Sequence, residues 1–174
     1  MPQRLYHFSE EPAIERFVPH VPRTNPSHRP AVWAIDAAHA PLYWFPRNCP
    51  RVAMWPKRGT PTERFHEVLT TVAWRLHAIE TVWVERMRTA HVYCYEFDSD
   101  GFEPWEDADG QWTSDAQVLP ISVAPVGDLV AAHLGAGIEL RVVESLWRLR
   151  DVAIAGEFDF SIVRMHNALP RPGS

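Results

Sequence analysis

The sequence predicts an α+β fold: a single domain over residues 1–168 with a mixed or mainly antiparallel sheet, one long covering helix and several short helices. Short runs rich in aromatic and β-branched residues, bounded by proline or glycine, are typical of strands. Residues 60–88 place apolar side chains three and four positions apart, which is typical of a helix. Because the helices differ in length and do not alternate strictly with the strands, the pattern favours α+β over a parallel α/β sheet.

The first element is a strand over Arg4 to Phe8. Ser9 and the acidic residues before Pro12 supply a helix start, so a brief helix is expected through Phe17. Four prolines from Pro19 to Pro30, counting both ends, exclude regular helix and predict an exposed irregular loop that can act as a flexible lid.

A strand, a short helix and a second strand follow the proline-rich loop. The pattern predicts a strand over Val32 to Ile35 and a short helix over Ala37 to Phe45, with Asp36 as its cap. Prolines 46 and 50 interrupt the chain before a strand over Arg51 to Trp55.

The long covering helix is predicted over Thr60 to Arg88. The remaining predicted elements are strands over His91 to Phe97, Gln117 to Val123, Ile138 to Val143 and near Phe158 to Met165, and a helix over Gly127 to Leu134. The final residues, 169–174, predict a flexible tail.

Composition narrows the classes of function. The net charge is -5 and Lys57 is the only lysine, which argues against an extended nucleic-acid surface. No apolar run is long enough for a membrane span, and the opening residues show no signal region, so we expect a cytoplasmic protein. The histidine and cysteine spacings match no metal motif, so no metal site is predicted.

Residues 31–52 combine the chemistry of a ligand pocket. Trp33 and Tyr43 offer flat apolar faces, and Asp36 can exchange protons with a ligand. Arg47 and Arg51 lie between prolines that limit backbone freedom, and their guanidiniums can hold a phosphate or carboxylate. We therefore predict that these five residues bind a small anionic or nucleotide-like ligand.

Cys49 stands between the two arginines of that segment. Two guanidiniums close to a thiol lower its pKa, so a thiolate nucleophile is one hypothesis for this residue. The alternative is that the arginines cap the turn or pair with the acidic loop that follows residue 98.

The stretches LYHFSE and VWAIDAAHAPLYWF resemble the ADP-ribosyltransferase fold, in which a strand histidine precedes a strand-turn-helix that carries a tyrosine. The resemblance implies that His7 binds the nicotinamide ribose and that Tyr43 stacks on the nicotinamide ring. It implies NAD as the cofactor. Where that family has a later glutamate, this sequence has Asp115 and Gln117, which the resemblance places near the reacting sugar.

The sequence also resembles a family of uncharacterised bacterial proteins, through LYHFSE, VWAID, PRNCPR and HVYCYE. This resemblance covers most of the chain and implies a shared domain without naming a reaction.

Three functions stay open at this point. The first is a catalytically silent relative of the ADP-ribosyltransferases that keeps the pocket. The second is an active NAD-dependent ADP-ribosyl or phosphate transferase, in which His7, Tyr43, Asp115 and Gln117 act on the ligand. The third is a protein-interaction module with a tryptophan-rich surface. The sequence leaves the oligomeric state open.

Overall fold

The computed structural model describes residues 3–21, 27–171 and 173. Its strands are, in chain order, β1 (Arg4–Ser9), β2 (Val32–Asp36), β3 (Arg51–Trp55), β4 (Arg75–Glu80), β5 (Tyr93–Asp98), β6 (Glu103–Pro104), β7 (Gln111–Ser114), β8 (Ser122–Pro125), β9 (Ile138–Val143) and β10 (Asp159–Val163). Its α-helices are α1 (Thr62–Leu69), α2 (Val84–Thr89), α3 (Leu129–Gly135) and α4 (Trp147–Ile154). Short 3-10 helices cover Ala40–Tyr43, Thr81–Trp83 and Met165–Asn167.

These elements confirm the α+β class with antiparallel and mixed sheets. The chain forms two compact units, each with its own sheet. The first unit comprises Met1–Trp44 and His91–Val126, and the second comprises Phe45–Ala90 and Gly127–Ser174. The single-domain organisation and the flexible tail stay predictions. Leu169, the first residue of that tail, is held because its N–H donates to the carboxylate of Glu80 at 2.9 Å.

The first unit contains a six-stranded antiparallel sheet in the order β6-β7-β2-β1-β5-β8. Side chains alternate between its two faces. One face carries a hydrophobic core that includes Leu5, Val32, Ala34, Tyr95, Phe97 and Phe102. Residues on the chain after β1, among them Phe17, pack against this core.

The predicted helix after β1 is wrong, because the segment contains no helix. The hydroxyl of Tyr95 donates to the carbonyl of Glu11 at 2.5 Å and accepts from the N–H of Ile14 at 3.0 Å. Farther on, Phe17 forms a two-hydrogen-bond bridge with Val118. These contacts satisfy the backbone that a helix would have used, so tertiary structure overrides the local helix signal.

The proline-rich loop is closed at its base by two backbone hydrogen bonds of 3.2 Å between His20 and Ala31. The central part of the predicted lid, residues 22–26, lies outside the described residues.

The second unit contains a four-stranded mixed sheet in the order β10-β3-β4-β9, in which only β4 and β9 are parallel. One face packs against α1 and α4 through a core that includes Val52, Met54, Phe65, Leu76, Leu146 and Phe158. Every residue of β4 is buried. This strand therefore forms the centre of the unit.

The prediction of one long helix over residues 60–88 is wrong, because α1 and α2 are separate helices and the strand β4 lies between them. Thr70 adopts a left-handed conformation, with φ 51°, and ends α1, and β4 follows. Leu76 and Ile79 fit a helical spacing, but both faces of β4 are buried. A short strand buried on both faces cannot be distinguished from a buried helix by periodicity alone.

The strand predicted over residues 117–123 is also placed too early. The backbone N–H and carbonyl of Val118 bond to Phe17, and regular pairing with β5 begins only at Ser122. The other predicted strands, including the first two, the ones at residues 51–55 and 138–143, and the one before the acidic loop, are confirmed with boundary shifts of a residue or two.

Candidate functional site

His7 lies in the middle of β1, on the same face of the sheet as Tyr95, its partner in the β1–β5 register. Its ring packs against the edge of Phe17, with 4.9 Å between ring centroids. The ladder between β1 and β2 pairs Leu5 with Asp36 and Tyr6 with Ile35 and stops before His7. The side chain of His7 instead reaches the backbone carbonyl of Trp33, 3.0 Å from Nδ1.

That contact fixes the protonation of His7. A carbonyl can only accept, so Nδ1 carries the hydrogen and Nε2 of the neutral ring carries a lone pair. Burial lowers the pKa of His7, with a smaller lowering effect from His20, although the hydrogen bond to Trp33 acts in the opposite direction. His7 is therefore a neutral imidazole near pH 7, and Nε2 makes no hydrogen bond within the described chain. It can accept a hydroxyl hydrogen from a ligand.

Tyr43 lies on the other face of the same sheet. Its ring is parallel to that of Phe8, with 6.3 Å between centroids and 6° between planes. The amide of Gln111 donates to its hydroxyl at 3.5 Å. Because Phe8 follows His7 in a regular strand, the structure places His7 and Tyr43 on opposite faces and does not bring them together.

Trp33 lies on the face that carries Phe8, which we call the aromatic face (Phe8, Trp33 and Tyr43). Its indole packs edge-on against Trp105 and His28, at 5.2 and 5.5 Å between centroids. Its Nε1 is buried and has no hydrogen-bond partner in the described part of the chain. A buried indole N–H without an acceptor is costly, so this atom is available to a ligand acceptor.

Asp36 ends β2 and organises the turn that leads to Tyr43. Its Oδ1 accepts from the backbone N–H of His39 and contacts Nδ1 of the same histidine, both at 2.8 Å. The backbone N–H of Asp36 donates to the carbonyl of Gly110 at 2.8 Å. The short helix expected over Ala37 to Phe45 exists as a single 3-10 turn, Ala40–Tyr43, whose N-cap residue is His39, and Asp36 accepts from the N–H of His39 in the turn that precedes it.

Asp115 and Gln117 are exposed on the chain that leaves β7. Neither side chain makes a hydrogen bond or ion pair with another described residue. The next residue, Val118, bridges to Phe17, which contacts His7. Their role beside a reacting sugar stays a prediction.

Arg47 and Arg51 belong to the second unit and differ in environment. Arg47 is exposed, whereas Arg51 is 7% exposed and starts β3. The guanidinium of Arg51 donates to the carbonyl of Cys49 at 3.2 Å and lies 4.9 Å from the ring centroid of Phe45. The structure therefore supplies one buried guanidinium and one exposed guanidinium, in place of a matched pair.

The hypothesis of a reactive thiolate at Cys49 is wrong. The residue is fully buried, and burial raises the pKa of its thiol to about 12, although Arg51 acts in the opposite direction. A thiol in this state is a small hydrophobic group and not a nucleophile.

Three functional candidates escape sequence reasoning: Arg75 and His77 on β4, and His133 on α3. All three are buried, and His77 contacts His133 through hydrogen-bonding nitrogens 3.1 Å apart. The available signal was an arginine and a histidine that alternate with apolar residues over 75–78. This signal was not recognised because the segment was interpreted as part of a long helix.

One open cavity of about 290 Å³ lies in the second unit, between α1 and α4 and beside Arg141 and Arg148. It includes none of the predicted site residues. Arg141 is already engaged, because it donates to Glu139 and to the carbonyl of Leu69.

Two classes of feature are not found among residues 3–21, 27–171 and 173. There is no group of three or more histidine, cysteine, aspartate or glutamate side chains placed to hold a metal ion. In the same residues, no helix combines the length and the apolar character needed to cross a membrane.

Comparison with known proteins identifies a family but no activity. No curated protein and no solved structure matches the chain. A protein family of unknown function matches residues 6–168, nearly the whole sequence. This match confirms the expectation that a family without an assigned reaction spans most of the chain. The chain belongs to the family described as Family of unknown function (DUF6886).

Proposed function

We propose that the first unit binds a nucleotide-like or other anionic aromatic ligand and that the protein is a catalytically silent relative of the ADP-ribosyltransferases. The observation that carries the proposal is the state of His7. Its Nδ1 is fixed by the carbonyl of Trp33 at 3.0 Å, and burial lowers its pKa, so Nε2 is held as a hydrogen-bond acceptor. A ribose hydroxyl is a donor of the required kind.

Aromatic side chains near His7 support an aromatic ligand. Phe17 covers one edge of the imidazole, and the aromatic face lies on the other side of the sheet. The indole N–H of Trp33, buried and without an acceptor among the described residues, offers a polar contact to a ligand on the aromatic face and not to a ligand at Nε2 of His7. Hydrogen bonds of this kind each contribute about 0.5–1.5 kcal/mol, so stacking area must supply much of the affinity.

The position of Tyr43 makes its proposed stacking role separable from the role of His7. A ligand that uses Nε2 of His7 approaches the face that carries Tyr95, whereas a ligand stacked on Tyr43 approaches the face that carries Phe8. Single substitutions at the two residues therefore report on different faces.

The experiment is a thermal-shift titration with NAD, ADP-ribose, ATP and inorganic phosphate, followed by calorimetry with the ligand that gives the largest shift. A ligand at 100 times its Kd stabilises the folded state by about 2.7 kcal/mol, which raises the Tm by several degrees. The expected result is a shift with ADP-ribose that His7→Ala abolishes. His91→Ala is the matched control, because His91 is exposed in the same unit and makes no contact with the site.

Three outcomes would change the proposal. Binding that His7→Ala leaves unchanged but Tyr43→Ala removes would transfer the site to the aromatic face. Release of nicotinamide from NAD would replace the silent module with an active transferase, whose dependence on Asp115 and Gln117 is then tested by Asp115→Asn and Gln117→Ala. No shift with any nucleotide, together with a molecular mass that rises with concentration, would leave the protein-interaction function in its place.

A further inference from the structure

A cluster of buried arginine and histidine side chains lies on the sheet of the second unit, on the face opposite the α1 and α4 core. Arg75 and His77 share that face because they are two residues apart in β4. The register pairs His77 with Ala53 of β3, so Arg51, two residues from Ala53, is on the same face. All three side chains are buried, with exposed fractions of 3%, 0% and 7% for Arg75, His77 and Arg51.

His77 and His133 form a directed hydrogen-bond chain. Nδ1 of His133 lies 2.7 Å from the backbone carbonyl of Leu129, so it carries the hydrogen. Nε2 of the neutral His133 is then an acceptor, and it lies 3.1 Å from Nδ1 of His77. Nδ1 of His77 therefore donates, and Nε2 of His77 is left with a lone pair.

That lone pair has no donor among the residues that the structure describes. Nε2 of His77 is buried and makes no hydrogen bond to any described residue. The great majority of buried polar side-chain atoms have a partner in the protein or in a bound molecule, and an exception requires an explanation. A bound group that donates a hydrogen bond provides one.

The surroundings of this nitrogen favour an anion. The groups that act electrostatically on His77 are His133 from α3, Arg75 from its own strand and Arg51 from β3, while the neighbouring strand β9 contributes Leu140. None of these described groups is acidic. Burial and these neighbours lower the pKa of His77 well below its usual value, which keeps the ring neutral.

Aromatic rings hold the two guanidiniums in place. The guanidinium of Arg75 lies 4.6 Å from the ring centroid of Trp55 and 4.5 Å from that of Trp74. Phe45 contacts Arg51, and it also packs against both histidines, at 5.5 Å from His77 and 4.8 Å from His133. Stacked guanidiniums are suited to oxyanion recognition because their planar donors match phosphate geometry.

We propose that this cluster is a binding site for an oxyanion that carries a proton, namely hydrogen phosphate or a phosphate monoester, whose P–OH donates to Nε2 of His77 while Arg51 and Arg75 hold the other oxygens. The site lies within the second unit and is independent of the ligand proposed for His7. Hydrogen phosphate brings one donor and several acceptors, which are the groups that the lone pair and the guanidiniums require.

The hydrogen-bond chain gives the site a selectivity. Sulfate has nearly the same shape as phosphate but is fully deprotonated near neutral pH, so it offers no hydrogen to Nε2. A site that is built to accept a hydrogen bond rejects an analogue that lacks the donor. Sulfate can bind well only if His77 itself takes up a proton, and its low pKa opposes this at pH 8.

The test is calorimetric titration of the whole protein with inorganic phosphate and with sulfate at pH 8, at equal ionic strength. We expect phosphate to bind roughly ten- to hundredfold more tightly than sulfate, which corresponds to one lost hydrogen bond to a buried acceptor. In the same buffer series, the affinity for inorganic phosphate should change little, because its dianion keeps one P–OH. The affinity for a phosphate monoester should fall by about tenfold per pH unit above its second pKa of about 6, because the free dianion of the ester has no P–OH and the complex keeps the proton.

His77→Asn separates recognition from folding. The side-chain amide of asparagine can still donate to His133, but it removes the acceptor at Nε2. The phosphate preference should then disappear, with the two anions within about twofold of each other. His166→Asn is the control, since His166 is exposed in the same unit.

The wild-type comparison decides the proposal even if His77→Asn does not fold. Equal binding of phosphate and sulfate at pH 8, or no binding of phosphate at millimolar concentration, overturns it. A phosphate preference that His77→Asn leaves intact in a folded protein also overturns it. None of these results bears on His7, because inorganic phosphate has no sugar and no aromatic ring.

Discussion

The substitution Gly110→Ala should destabilise the protein because the turn at the end of β2 has no room for a side chain. Gly110 has φ +77°, a conformation that costs alanine about 1–2 kcal/mol. A Cβ at this position would lie 2.1 Å from Nδ1 of His39, far inside van der Waals contact. The imidazole cannot simply move away, since its Nδ1 is 2.8 Å from the carboxylate of Asp36.

The size of the effect follows from these two contributions. Forcing extra volume into a packed site costs about 1–3 kcal/mol, so the total loss in the free energy of unfolding should be about 2–5 kcal/mol. Equilibrium urea unfolding followed by tryptophan fluorescence measures it. Gly101→Ala is the control, because Gly101 has φ +80° in the same unit but nothing within 4 Å of its added Cβ.

The difference between the two variants isolates the contact with His39. Gly110→Ala should cost about 1–3 kcal/mol more than Gly101→Ala, and removing the ring with His39→Ala in the Gly110→Ala background should recover part of that excess. Equal losses in the two glycine variants would refute the claim that Gly110 is required for the approach of His39, and with it the description of how Asp36 is positioned.

Three other predictions concern the elements around the two candidate sites. Tyr95→Phe removes the hydroxyl that ties the segment after β1 to the sheet, so it should cost about 1–3 kcal/mol and speed proteolysis of residues 10–20, whereas Tyr93→Phe should do neither. Asp128→Ala removes the side chain that accepts two N–H groups at the start of α3, and urea unfolding should show a loss of about 0.5–2 kcal/mol; no loss would contradict the capping role. Burial lowers the pKa of His77 and of His133, so the unfolded chain binds more protons than the folded chain below about pH 6.5. The free energy of unfolding should therefore be at its full value above that pH and should fall as the pH falls, by up to about 1.4 kcal/mol per pH unit for each histidine. A free energy of unfolding that stays constant between pH 7.5 and 5.5 would contradict the neutral state of both rings.

The first unit could be predicted from the sequence where its signals are local. The strand with Leu5 and the strand with Ala34 both form within a residue of their predicted bounds. The structure of the segment after β1 could not be predicted, because it depends on hydrogen bonds to the hydroxyl of Tyr95, which is more than eighty residues away in the chain. Local helix propensity does not depend on a contact between residues so far apart in the sequence.

The site in the second unit could not be predicted for a related reason. His77 and His133 are 56 residues apart, and neither belongs to a motif. Periodicity placed His77 on a long helix, where its neighbours along the face would have been different residues. Only the strand pairing with β3 brings Arg51 to the same face, so this arginine, which the sequence predicts to bind an anion together with Arg47, acquires partners that the sequence did not indicate.

Nitrogen-15 NMR of the histidine rings, recorded near pH 7 with and without ADP-ribose, reports which nitrogen of His7 carries the hydrogen and whether the ligand donates to the other. In the free protein, Nδ1 of His7 should carry the hydrogen and Nε2 should carry none. Saturating ADP-ribose should move the Nε2 resonance in the direction of an accepted hydrogen bond and leave His91 unchanged. A free protein with the hydrogen on Nε2, or an Nε2 resonance that ADP-ribose does not move, would contradict the account.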